Sequence, residues 1–344
     1  MENNRNWRQT GRIPEADQRN TSEESAADQR ERNTSMRLFD LHCDTIEELK
    51  NRGEDFLSST TQFSIKDRER FEKAVQVMAV FVPDHIRGPE AVQFVLDYYE
   101  YMNRQVEKTK GQAELVEKIA DLDRIVGEGK WAFIRSIESG AALNGDLDNI
   151  DRFADLNFKM MGLVWNGANE LGSGPRNDTG LTSFGREAVR RMEEVGMIVD
   201  CSHLNDAGFE DLLNISQRPF VASHSNLRAC CHNLRNLTDS QFKEIVRRGG
   251  LCGLNLFSRF IDGSDEGSKD NLLRHVYHML ELGGEHVIAW GGDMDGEITC
   301  DPDLATPYGV GQYARYLLAH GIGEEAVNGL YFQNAYRFFT ENVK

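Results

Sequence analysis

From residue 36 onward, short and nearly continuous apolar runs alternate with longer stretches in which apolar residues recur every three or four positions. The short runs, at 37–41, 74–82, 131–137, 160–165, 197–201, 220–222, 251–256 and 287–290, read as strands. The longer stretches include 90–108, 185–195, 205–215, 239–248 and 271–282 and read as amphipathic helices. Unbroken apolar strands are covered on both faces, as in a parallel sheet wrapped by helices. Two helices carry clear start signals, Thr182-Ser183 before one and Thr238-Asp239 before another.

Eight such units predict an α/β fold, a (β/α)8 TIM-type barrel of parallel strands whose reactive residues gather at the C-terminal face. The rival, a doubly wound open sheet, calls for a glycine-rich phosphate loop after its first strand, where this chain has LHCDT. No internal repeat and no second domain is visible, so residues 36–344 are expected to form one domain. Residues 1–35 are polar, of mixed charge and almost without apolar residues, and are expected to be disordered.

Composition narrows the partners. The chain has 344 residues and a formal net charge of -17. That charge argues against nucleic acid, which needs clustered Lys and Arg, and against docking on an anionic membrane. The six cysteines show no disulfide-scaffold spacing and no CxxC pair. No run of 18 apolar residues, no apolar leader and no hydrophobic C-terminal tail occurs, so a reduced, cytoplasmic protein is expected. A monomer and a homodimer fit this surface equally.

Chemistry concentrates at the strand ends. His42 and Asp44 in LHCDT are two apart, which on an extended strand puts both on one face. Glu138 closes the third strand, His203 the fifth and His224 the sixth, the histidines lying in CSH and ASHS. Singly, each has an ordinary structural reading as a capping charge or a hydrogen-bonded histidine. Together they offer imidazole and carboxylate donors from four strands at one mouth, a set suited to Zn²⁺ or a related divalent ion.

Five ligands exceed what one hydrolytic zinc uses. With Glu138 shared, His42, Asp44 and Glu138 would hold one ion and Glu138, His203 and His224 a second. A bridging hydroxide is then the expected nucleophile. Asp293, after the eighth strand in GGDMDG, is the expected acid/base. Arg235 in HNLRNLTD is a candidate clamp for a substrate carboxylate, with a solvated loop arginine as its ordinary alternative.

The ordered set DLHCDT, SIES, DCSH, ASHS with HNLRNLTD, and GGDMDG resembles the membrane (renal-type) dipeptidase family, peptidase family M19, within the amidohydrolase-like barrels. The resemblance spans residues 36–344. It implies a dipeptidase with two zinc ions acting on dipeptides with a free carboxylate, with the five ligands, Asp293 and Arg235 in the roles given above. Two departures bear on substrate choice. Animal members carry a histidine after the fourth strand, where this chain reads MGLVWNGAN, with Trp165 in that place and Asn166 and Asn169 beside it. Phe257, in LNLFSRF, stands where a tyrosine often assists carboxylate binding. Two other readings are a metal-dependent hydrolase of another bond, such as that of an N-acyl amino acid or a phosphoester, and a non-catalytic metal-binding barrel.

Overall fold

The computed structural model describes residues 36–343, so the expectation for residues 1–35 lies outside the described residues. Its strands are β1 (Met36–Cys43), β2 (Phe71–Phe81), β3 (Ala113–Leu115), β4 (Trp131–Glu138), β5 (Phe158–Gly162), β6 (Ile198–Asp200), β7 (Val221–Ala222), β8 (Leu251–Leu254) and β9 (Ile288–Trp290). All pairings between them are parallel. Eight strands close a ring in the order β1-β2-β4-β5-β6-β7-β8-β9, shut by Asp40 of β1 beside Trp290 of β9. This is the predicted (β/α)8 barrel. The unforeseen β3 pairs with the first half of β4, alongside Trp131–Phe133, on the edge that β5 takes further up. Three residues, Ala-Glu-Leu, carry no readable alternation.

The helix starts follow the capping signals. Thr182 accepts a hydrogen bond from the Gly185 N–H, and Thr238 forms a reciprocal capping box with Gln241. Asn205 and Ser268 cap the helices Asp206–Ile215 and Lys269–Glu281. No helix among the described residues is long and apolar enough to cross a membrane.

Below its mouth the barrel is filled with apolar side chains. Phe39, Val75, Ile134, Met160, Ile198 and Val221 join Leu251 and Ala289 in one buried cluster to which every strand of the ring contributes. Alternate residues of all eight strands converge there, as in the interior of a closed barrel. Phe332, Phe338 and Phe339 belong to the same cluster, as do Leu122 and Ile125 from the helix Leu122–Gly127. They close the N-terminal end, with the Phe339 ring 5.0 Å from that of Phe39. Outward-facing alternates such as Leu38, Phe133 and Val199 pack with helix residues Val95, Val189 and Leu212 in a second, larger cluster.

β1 departs from strict alternation. Its register against β2 slips between Asp40 and Cys43, so three residues of β1 span two of β2. Leu41 faces the interior in step with Phe39, and the slip lets its neighbour His42 face the barrel axis as well, at the mouth. The Asp40 carboxylate pins the irregularity. Its Oδ1 accepts from the main-chain N–H groups of His42 and Gly292, each at 3.0 Å. Burial pushes this carboxyl up to about 6.

Candidate active site

The five ligands predicted from four separate strand ends meet at one mouth. His42 Nε2 lies 3.4 Å from Asp44 Oδ2, 3.3 Å from Glu138 Oε2 and 3.7 Å from Asp293 Oδ1. Across from it, Glu138 Oε1 lies 2.8 Å from His203 Nε2 and 3.8 Å from His224 Nε2. The two histidine nitrogens are 3.1 Å apart. Glu138 thus gives one oxygen to each of two donor sets. Donor atoms of His42, Asp44 and Glu138 fall within 4.8 Å of one another, as do those of Glu138, His203 and His224. A third set, His42, His224 and Asp293, lies between them.

These residues fit divalent metal. His42 Nε2 and Asp44 Oδ1 are buried and have no hydrogen-bond partner. A buried polar atom left unpaired costs about 1–3 kcal/mol, and imidazole and carboxylate donors facing a common centre are what a divalent ion takes.

Charge is arranged accordingly. Burial opposes a proton on His42, but the carboxylates of Asp44 and Glu138 outweigh it and raise its pKa well above the ordinary value. Burial pushes Asp44 up to about 7, against the pull of His42. Burial also works against an ionised Glu138, yet His42 and His203 hold it well below the usual carboxylate range. His203 is lowered to about 4 and His224 well below its ordinary value, by burial first. Both therefore keep lone pairs for a metal at neutral pH.

Local structure explains each placement. Asp44 stands one residue past β1, in the capping position of the helix Thr45–Arg52, rather than on the strand as the two-residue spacing implied. Its N–H donates to the Met294 carbonyl at 2.9 Å, and the Asp293 N–H donates to that of His42 at 3.1 Å. These bonds carry the β1–β9 pairing past the strand ends. Asp293 adopts a φ of 60°, a left-handed conformation that Asp tolerates better than most residues. Glycines let the strands crowd here. A Cβ on Gly253 or Gly291 would lie within 2 Å of the Ser223 carbonyl oxygen.

Three contributors escaped the sequence reading. Asp200 accepts from Ser223 Oγ at 2.5 Å, and that hydroxyl lies 2.7 Å from His224 Nδ1. The chain fixes the ring orientation of His224 from behind. Asn255 donates to Asp293 Oδ2 at 2.9 Å and holds that carboxylate from below. Both are polar residues at inward positions of apolar runs, in step with Ile198 and Leu251, and that signal was available. Glu47, in the first turn after Asp44, lines the same chamber; its position on a helix face gave no hint.

The remaining candidates sort clearly. Arg235 is buried rather than solvated. Its guanidinium donates to the carbonyls of Ser202 and His224, its Nε has no partner, and it lies 5.3 Å from the Phe260 ring centre. Trp165, Asn166 and Phe257 line the chamber above the ligands. Trp165 lies beyond the end of β5, with its ring 4.8 Å from that of Phe81. Asn169 instead stitches its own loop, bonding the Leu163 carbonyl and the Leu171 N–H. Asp295 is a structural tie held by Thr45, Gln62 and Phe63.

The fold has counterparts among known proteins. A dipeptidase described as a metallo peptidase of family M19 superposes with a TM-score of 0.83 at 27% identity, covering 90% of this chain and 99% of its own. A Rhodobacter sphaeroides metallo peptidase, liganded with a phosphinate mimic of the dipeptide L-Ala-D-Ala, gives 0.83 at 26% identity with the same coverage. An uncharacterised protein from the pqqA 5' region of Klebsiella pneumoniae is 28% identical over 245 residues, 68% of this chain and 90% of its own length. The family model described as membrane dipeptidase (peptidase family M19) matches residues 27–344. With that match over nearly its whole length, the chain belongs to peptidase family M19, a family of metallopeptidases.

Proposed function

We propose that the protein is a dipeptidase holding two zinc ions, which cuts the peptide bond of dipeptides bearing a free C-terminal carboxylate. The observation that carries this reading is the split of Glu138 between two donor sets, with Asp293 beside both. The dipeptide mimic bound by the Rhodobacter sphaeroides relative supports the substrate class. His42, Asp44 and Glu138 would hold one ion, and Glu138, His203 and His224 the other. When bound, such ions supply Lewis acidity and lower the pKa of water to about 7.

The protein's own groups do the rest. Arg235 receives the substrate carboxylate; carbonyl oxygens of Ser202 and His224 and the Phe260 ring hold its buried guanidinium in place. Asp293 takes the proton of the attacking water and passes it to the departing amine. Burial and the nearby charge of Glu138 raise its pKa, which suits a carboxylate that must carry a proton for part of the cycle. Asn255 occupies Asp293 Oδ2 and so leaves Oδ1 as the oxygen that moves the proton. Asn166 supplies a polar side chain on the chamber wall for the oxygen of the scissile carbonyl. Trp165 and Phe257 exclude water around the bond.

Chelator-stripped protein is expected to lose hydrolysis of L,L- and L,D-dipeptides and to regain it with Zn²⁺. Full-rate cleavage by protein shown by elemental analysis to be metal-free would overturn the reading. Cleavage of N-acyl amino acids but not of dipeptides would move the protein to another amide.

A further inference from the structure

Arg235 sets the polarity of the chamber. Its guanidinium lies against the Ser202 and His224 carbonyls, past the ends of β6 and β7. A carboxylate held there directs the N-terminal residue of a dipeptide to the opposite side of the ring, over β1 and β2. Arg235 lies behind the wall of the chamber, against the Phe260 ring, and no Lys or Arg among the described residues lines the chamber surface itself. Several of its carboxylates are already engaged. Asp44 and Glu138 belong to the ligand sets, Asp293 is the acid/base beside them, Asp295 is tied to Thr45 and Gln62, and Glu48 pairs with Arg52.

Two carboxylates remain, Glu47 and Glu297. Neither side chain makes a hydrogen bond or ion pair among the described residues. Glu47 is half-buried, one helical turn past Asp44, which is 6% exposed and whose own Oδ1 is unpartnered in the same chamber. Phe81 and Pro83 form the apolar flank on that side. A long aliphatic stem ending in a cation can lie along these two residues and place its charge on Glu47. A half-shielded carboxylate attracts such a charge more strongly than one in open water.

We propose that Glu47, with Glu297 at the rim, forms a cation subsite, and that the preferred substrates are dipeptides with a lysyl or arginyl N-terminal residue. This rests on the dipeptidase reading. The subsite takes the side-chain cation, in addition to the α-ammonium that every dipeptide carries.

The test uses the zinc-loaded protein with lysyl-, norleucyl- and glutamyl-alanine, each with L- and D-alanine. Norleucine matches the stem of lysine without its charge. Lysyl-alanine is expected to exceed norleucyl-alanine in kcat/KM by about tenfold or more, and glutamyl-alanine to be the poorest. Glu47→Gln is expected to lower the lysyl-to-norleucyl ratio about tenfold, and 0.5 M salt to compress it in the wild type. An equal loss on both substrates in Glu47→Gln would assign Glu47 to the α-ammonium and overturn the proposal. Cleavage of neutral dipeptides with no lysyl preference refutes the subsite while the dipeptidase reading stands. If no dipeptide is cut, both fall.

Discussion

Toward the N-terminal end of the barrel, apolar side chains from all eight strands pack with Phe332, Phe338 and Phe339 in one buried cluster. Toward the C-terminal end, the same strands deliver carboxylates and imidazoles within a few ångströms of each other, some with unpaired buried atoms. The lower half gains free energy by removing apolar surface from water. The upper half gives some of it back, since unpaired buried donors and acceptors destabilise the fold. A rigid lower barrel is what lets the upper half hold groups that would otherwise move apart or draw in water.

Substitutions at the two ends should therefore fail in different ways. The largest effect is expected from Asp293→Asn, which should lower kcat about 10²- to 10⁴-fold while zinc content, read by elemental analysis, stays at the wild-type level. Loss of metal in that variant would place Asp293 among the ligands. Next comes Phe339→Ala at the closed end. It should cost about 3–5 kcal/mol in denaturant unfolding and leave KM of the folded enzyme unchanged. A shifted KM would mean that the two ends are mechanically coupled.

The smallest expected effect is on metal uptake with pH. His42, with its raised pKa, and Asp44, pushed up to about 7, must both lose their protons to ligate. Protons then compete increasingly as pH falls. His203, at about 4, and His224, lower than usual, are already neutral and add nothing to the slope in this range. Chelator competition should show affinity falling about tenfold or more from pH 8 to pH 6. A flat profile would show that the charge arrangement around His42 is misread.

The barrel was legible because eight apolar runs alternate with amphipathic helices, and the ligand set because strand ends of a parallel barrel share one face. Strand boundaries were less so. The run 160–165 yields only Phe158–Gly162 as strand, because Trp165 and Asn166 already belong to the chamber wall. Arg235 could be read either way, since nothing in HNLRNLTD reveals that its loop folds back beneath the histidines. Asp200 and Asn255 stand out as polar residues at inward positions of apolar runs, but their partners, Ser223 and Asp293, come into view only once the strands are assembled. Glu47 needed the loop after β9 opposite it before its position in the chamber had meaning.

The slip in β1 at Asp40–Cys43 acts like a change of reading frame within a single strand. Below it, odd-numbered Phe39 and Leu41 face inward; above it, the even-numbered His42 does. The two halves of β1 can accordingly be rewritten independently, one for packing and the other for chemistry. Asp40, bonded to the main chain of both His42 and Gly292, is the punctuation mark between them.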